Sequence, residues 1–239
     1  MRRHNQAYEY LKNAIISSTI LPGSPIREME LAEQLQMSRT PIREAMRALE
    51  AEGILINYPA QGTFVMSLTS SDVEEIYELR SLFELWALER SLPRITDEEV
   101  ASLEKSFTSS FYTFDWEACH NADRLLHALI VERSGSRRLS NFVNTLNTQT
   151  ERIRRFSAKS PTRLQVSYRE HMEILTLIRK RDIKSCADSL KKHLRSVANS
   201  AIEAFILLNT ESGLRSELDL RNPEPKSAAD AGEIHPRTA

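Results

Sequence analysis

The stretch Leu31-Ala32-Glu33-Gln34-Leu35-Gln36-Met37-Ser38-Arg39-Thr40-Pro41-Ile42-Arg43-Glu44-Ala45-Met46 decides the reading of this chain. Leu31, Ala32 and Leu35 line one face of a short helix expected from about Glu28 to Gln36. Ser38 follows as an N-cap residue, and Pro41 is tolerated in the first turn of the helix that it opens. Ala45, Met46 and Leu49 give that second helix its apolar face, and Gly53 ends it. Two short helices across a tight turn form a helix-turn-helix.

Upstream, Tyr8, Leu11, Ile15 and Ile16 recur at helical spacing before the Leu21-Pro22-Gly23 turn. Downstream, Ile54-Leu55-Ile56 reads as a strand, Tyr58-Pro59-Ala60-Gln61-Gly62 as a hairpin tip, and Thr63-Phe64-Val65-Met66 as the return strand. Three helices and then a hairpin is the order of a winged helix-turn-helix, expected over residues 1–67.

The third helix carries the chemistry. Arg39, Arg43 and Arg47 stand four apart, a basic stripe on one helix of a chain whose net charge is only −1. Its N-terminal residues would face base edges in a major groove. There Arg39 and Arg43 fork onto guanine, while Ser38, Thr40 and the free N–H groups of the helix start suit phosphate oxygens. Arg47 lies a turn further from the groove and divides evenly between phosphate contact and a solvated surface. Gly62, beside Gln61 at the wing tip, lets backbone approach a minor groove.

The bulk numbers fit. The 239 residues suffice for two domains, with 41 % hydrophobic and 27 % charged residues, as in soluble globular proteins. No apolar run approaches the ~20 residues of a membrane span, and the N-terminus lacks the apolar core of a secretory signal. Cys119 and Cys186 form no motif, so a cytoplasmic location is expected.

From residue 68 to about 210 the pattern is helical throughout, so an antiparallel all-α bundle of about six helices is expected, and the fold class is mainly α. Ser70 or Ser71 with Asp72 opens the first bundle helix, and Thr96 with Glu99 forms a capping box for the second. Asp115 opens the third. The last helix is expected from Ile183 to Leu208, and residues 211–239 are expected as a disordered tail. Four of the six histidines fall in the bundle: His120, His127, His171 and His193. Asp123 shares a helix face with His127 at i+4 and with His120 at i−3, so periodicity does not choose between them. Three imidazoles and a carboxylate drawn from three helices suit a divalent ion such as Zn, Ni or Mn.

The segments from Leu21-Pro22-Gly23 through Ser38-Arg39-Thr40-Pro41-Ile42-Arg43-Glu44-Ala45 to Gly62-Thr63-Phe64-Val65 resemble the DNA-binding domain of the GntR family. The resemblance covers roughly residues 5–67. It implies base or phosphate contacts for Arg39 and Arg43 and a minor-groove position for Gly62. Met29 stands where some members carry an Arg, and Gln61 where some carry a His. Asp123-Arg124-Leu125-Leu126-His127, Glu170-His171 and His193-Leu194 resemble the FCD ligand-binding domain of the FadR-type members. That resemblance implies Asp123, His127, His171 and His193 as metal ligands and sets His120 outside the set. It also implies an effector-facing role for Arg80, against which an ion pair to Glu84 at i+4 weighs evenly. The Ser-Gly-Asn-Pro stretch common in that domain is Ser134-Gly135-Ser136-Arg137 here.

The function implied is a metabolite-responsive transcription regulator. A homodimer would bind a palindromic double-stranded operator, with a metal-containing pocket for a small carboxylate. The other class is a metal-dependent hydrolase fused to a DNA-binding module, for which no His-Glu-x-x-His spacing is present.

Overall fold

The computed structural model describes residues 3–156 and 161–221. Three N-terminal helices, α1 (Arg3–Ile16), α2 (Glu28–Gln34) and α3 (Arg39–Ala51), precede a hairpin of β2 (Leu55–Tyr58) and β3 (Gly62–Val65). Ala7, Leu11, Ile15, Leu31, Ile42, Ala45, Leu49, Ile54 and Val65 form their shared core. Every apolar position read from the α2 and α3 periodicity except Leu35 is fully buried there, and Leu35 packs at the edge. A third strand, β1 (Pro25–Ile26), joins the sheet in the order β1-β3-β2, pairing Ile26 with Thr63. Two residues are too few to show an alternating pattern, which is why this strand is silent in the sequence.

The bundle follows: α4 (Ser70–Ser91), α5 (Asp97–Tyr112), α6 (Trp116–Arg133), α7 (Arg137–Phe156), α8 (Pro161–Arg179) and α9 (Ile183–Arg221). The winged helix-turn-helix plus six-helix bundle is therefore the fold. One core runs through the bundle from Val73 and Leu88 through Leu126 and Ile130 to Ile174, Leu190 and Leu194.

Caps set where helices begin. Thr96 and Glu99 make the expected reciprocal box, and the Asp115 carboxylate accepts from Ala118 N at 3.0 Å. The cap of α4 is Thr69 rather than Ser70 or Ser71. Its Oγ1 accepts from Asp72 N at 3.1 Å while Asp72 Oδ2 accepts from Thr69 N at 2.7 Å. Asp72 is at N3 only if Thr69 is the cap, and that reciprocity decides the register. Ser38 has the extended backbone of an N-cap, but its side chain makes no capping bond. Helix α9 continues past the expected end at Leu208 to Arg221, since no proline interrupts it before Pro223. The tail expected over 211–239 is otherwise outside the described residues from 222 onward.

Candidate functional site

Two places in the structure carry chemistry. The first is the start of α3. Ser38, Arg39, Thr40, Arg43 and Arg47 are all exposed, as are Gln61 and Gly62 at the hairpin tip. Gly62 has φ +106°, a backbone conformation open to glycine, with nothing within 4 Å of where a Cβ would stand. The apolar face of α3 is buried, so its arginines are turned outward by packing. Glu28, the first residue of α2, receives Arg43 Nε at 2.9 Å and Nη2 at 2.8 Å, and Arg39 Nη2 at 3.1 Å. The Arg43 hydrogen bond holds the Glu28 carboxyl down at about 2 against the opposing effect of burial, with Arg39 adding to the lowering. Sequence reading did not find Glu28. It orients the Arg43 guanidinium through two hydrogen bonds.

The second place lies in the bundle interior. Asp123 and His127 sit one turn apart on α6, His171 on α8 and His193 on α9. Their nearest nitrogen and oxygen atoms all lie within 4.8 Å of one another. The Nε2 atoms of His171, His127 and His193 stand 3.0, 3.6 and 3.7 Å from Asp123 Oδ1. The three imidazoles are 2 %, 5 % and 1 % exposed, in the same order.

What turns each ring is a second layer of groups. Glu84 on α4 accepts from His127 Nδ1 at 2.5 Å, and Glu170 on α8 accepts from His193 Nδ1 at 2.9 Å. A carboxylate only accepts, so the proton of each ring sits on Nδ1 and Nε2 is presented to the cluster. His171 Nδ1 faces Ser167 Oγ at 3.4 Å, and the ring stacks on Phe107 with centroids 4.4 Å apart. The Nε2 atoms of His127 and His193 are buried without a hydrogen-bond partner. Buried polar atoms are ordinarily satisfied, so two orphaned nitrogens aimed at one carboxylate ask for a cation between them.

The distances pass the same test. Ligand atoms ~2.1 Å from a tetrahedral zinc stand about 3.4 Å apart, close to the 3.0–3.7 Å between Asp123 Oδ1 and the three Nε2 atoms. The donor set of three neutral nitrogens and one oxygen also suits zinc, nickel or manganese.

Electrostatics keep the carboxylates ionised and His171 neutral. Burial opposes ionisation of Asp123, but Arg154 and then His127 hold it well below the usual carboxylate range. Burial, and next the neighbouring His193, push His171 down to about 3. Burial works against the His127 cation, yet Glu84 keeps this imidazole above its ordinary value. Burial likewise opposes ionisation of Glu84, and Arg80 followed by His127 outweigh it, leaving Glu84 at about 2.

A cavity opens beside the cluster. Asp123 and His171 lie in its wall with Arg154, Arg163, Phe111 and Tyr168. Arg154 Nη2 pairs with Asp123 Oδ2, and Arg163 Nη2 with Glu170 at 3.1 Å.

The model of the gntR family of bacterial regulatory proteins matches residues 3–65, and the model of the FCD domain matches residues 75–196. The HTH-type transcriptional regulator YdhC of Bacillus subtilis strain 168 is 32 % identical over 197 residues, 79 % of this chain and 86 % of that one.

The chain belongs to the GntR family.

It is a DNA-binding transcription regulator with an FCD effector domain. A GntR regulator from Rhodococcus sp. RHA1 has the same fold. That structure has a TM-score of 0.72 at 20 % identity and covers 85 % of this chain and 99 % of its own. The Zn2+-bound FCD domain of TM0439 aligns with a TM-score of 0.53 at 23 % identity, over 58 % of this chain and 97 % of that domain.

Within this GntR regulator the four expected ligands come together, and His120 lines the neighbouring cavity instead. Of the two readings weighed for Arg80, the structure shows the ion pair to Glu84. Arg80 is 2 % exposed, donates from Nε to Glu84 at 2.8 Å and does not line the cavity. A buried carboxylate one turn along the same helix takes the guanidinium. Arg80 therefore stands behind Glu84, which stands behind His127. The cations that do line the cavity, Arg154 and Arg163, were missed because neither sits in a motif and both α7 and α8 carry other arginines. No helix among the described residues is long and apolar enough to cross a membrane.

Glu84→Gln tests the second layer. The amide keeps the volume but leaves Nδ1 of His127 free to lose its proton. Zinc affinity, measured by competition with a chromophoric chelator, should fall roughly 10- to 100-fold. Unchanged affinity would show that Glu84 does not set the ring.

Proposed function

We propose that this GntR regulator binds a two-fold symmetric operator as a homodimer and responds to a small carboxylate in a metal-containing FCD pocket. The observation that carries this reading is the convergence of three Nε2 atoms on Asp123 Oδ1, beside a cavity lined by Arg154 and Arg163. Asp123, His127, His171 and His193 would hold the ion, with zinc favoured by the four-ligand set and by the Zn2+-bound FCD neighbour. When bound, such an ion supplies a Lewis-acidic position for a carboxylate oxygen. Arg154 and Arg163, which line the cavity, would turn a guanidinium toward the rest of that anion. On the DNA side, Arg39 and Arg43 would read bases, and Ser38, Thr40 and Arg47 would meet phosphates. Gln61 and Gly62 would lie at the minor groove. Glu84 and Glu170 are each committed to a ligand imidazole, so neither is a free general base for hydrolysis.

The test uses a duplex selected from random-sequence DNA and zinc-loaded full-length protein. Two chains should bind each duplex, and acetate, malonate or citrate should change the DNA affinity by at least about fivefold. A benzylamine control should not. If no carboxylate moves the affinity, the effector reading fails. If one chain binds each duplex, the dimer reading fails.

A further inference from the structure

Among the described residues, Arg152 is the most deeply buried cation that the metal site and the cavity do not use. It is 2 % exposed, and burial alone pushes its guanidinium down to about 10. Among the described residues no carboxylate lies within ion-pair distance of it. Its partners are neutral: Nη2 donates to the carbonyl of Met66, the residue that follows β3, and Nη1 lies 3.4 Å from Gln149 Oε1. A buried charge facing only neutral acceptors is costly, and a methionine would fill the same space at less cost.

One turn earlier on α7, Gln149 Nε2 donates to the carbonyls of Glu52 and Gly53 at 2.9 and 2.7 Å. These residues close α3, the helix that carries Arg39 and Arg43. Thr148 Oγ1 donates to Glu52 Oε2 at 3.1 Å, and Tyr8 OH on α1 donates to Glu52 Oε1 at 2.7 Å. Gly53 has φ +67°, and a Cβ there would stand 2.9 Å from Gln149 Nε2. This face of α7 thus holds backbone at two points of the DNA-reading domain, where the recognition helix ends and where the wing leaves.

The opposite face of the same turn holds the candidate metal centre. Arg154 is two residues beyond Arg152, about 200° around the helix. Its guanidinium pairs with Asp123, the one carboxylate of the four ligands.

We infer that residues 148–154 of α7 couple the FCD pocket to the DNA-reading domain, with Arg154 sensing Asp123 on one face and Gln149 and Arg152 gripping α3 and the wing on the other. This rests on the metal reading of the pocket given above. A cation at Asp123 Oδ1 draws charge from the carboxylate whose Oδ2 holds Arg154, and so weakens that pair. Any shift or rotation of α7 that follows is carried to backbone atoms at both ends of the recognition unit, since packed helices move as units between discrete arrangements. Coupling of this kind is reciprocal, so DNA must change zinc affinity by the factor by which zinc changes DNA affinity.

The experiment uses full-length protein with zinc alone as the probe. Hydrogen exchange is followed in peptides covering residues 52–66, and zinc affinity is measured by chelator competition. In the wild type, zinc should change exchange in that segment by about fivefold or more. Arg152→Met and, separately, Gln149→Leu should bind zinc within roughly threefold of wild type but lose that change. Should Arg152→Met melt the fold, Gln149→Leu removes no charge and carries the same test. A folded, zinc-binding variant that keeps the wild-type change overturns the coupling. So does a wild type that binds zinc with no change in residues 52–66. A wild type that does not bind zinc removes the metal reading itself, and the coupling falls with it.

Discussion

His171→Ala should empty the FCD domain of divalent metal. Elemental analysis of protein purified without chelator or histidine tag should fall from about one ion per chain to below about a tenth after dialysis. Three imidazole nitrogens and one carboxylate oxygen would make the site, and changes to the groups behind the ligands alone cost about 10- to 100-fold in affinity. Removal of a ligand exceeds that. His171 Nε2 is also the closest of the three to Asp123 Oδ1, at 3.0 Å, so the loss opens the cluster at its centre. The far-UV circular dichroism should stay helical, because the core around the site is carried by Leu126, Ile130, Ile174 and Leu194 rather than by the rings. Full metal retention in this variant would mean that the ligands lie elsewhere. No metal in the wild type would leave the DNA-binding assignment intact and move the effector to an ion-free cavity between Arg154 and Arg163.

Arg43→Ala should weaken specific DNA binding roughly 5- to 150-fold, measured by anisotropy on a selected duplex. The side chain is exposed on the first turns of α3 and already faces a carboxylate through two parallel N–H groups at 2.8 and 2.9 Å. That geometry, transferred to guanine O6 and N7, is the fork that reads a base. The effect has a second source: without Arg43, Glu28 keeps only Arg39 and is left at the edge of a phosphate-lined surface. Like charge there lowers affinity further. The loss should be larger on the selected sequence than on random DNA, which separates a base contact from a phosphate contact. Equal loss on both would reassign Arg43 to the backbone.

Much of this was written in the sequence itself. The apolar spacing of Leu31, Ile42, Ala45 and Leu49 fixes which side of α2 and α3 is buried, and with it which side shows Arg39 and Arg43. Local capping chemistry placed α5 and α6 at Thr96 and Asp115. A turn of helix puts Asp123 and His127 on one face whatever surrounds them.

Tertiary packing decided the rest. From spacing alone, His120 and His127 were equal partners for Asp123. The choice falls on His127 because Glu84 of α4 holds its Nδ1 and α8 and α9 bring His171 and His193 to that side. Arg80 was legible as a candidate but not its direction, since only the folded α4 shows the guanidinium taken by Glu84. Arg152 and Arg154 are two arginines in one polar helix to a reader of sequence. Their opposite duties appear only when one face of α7 meets Met66 and the other meets Asp123. Spacing along a helix is local and survives in the sequence, whereas the partner a side chain meets depends on how the helices rotate against one another in the packed core.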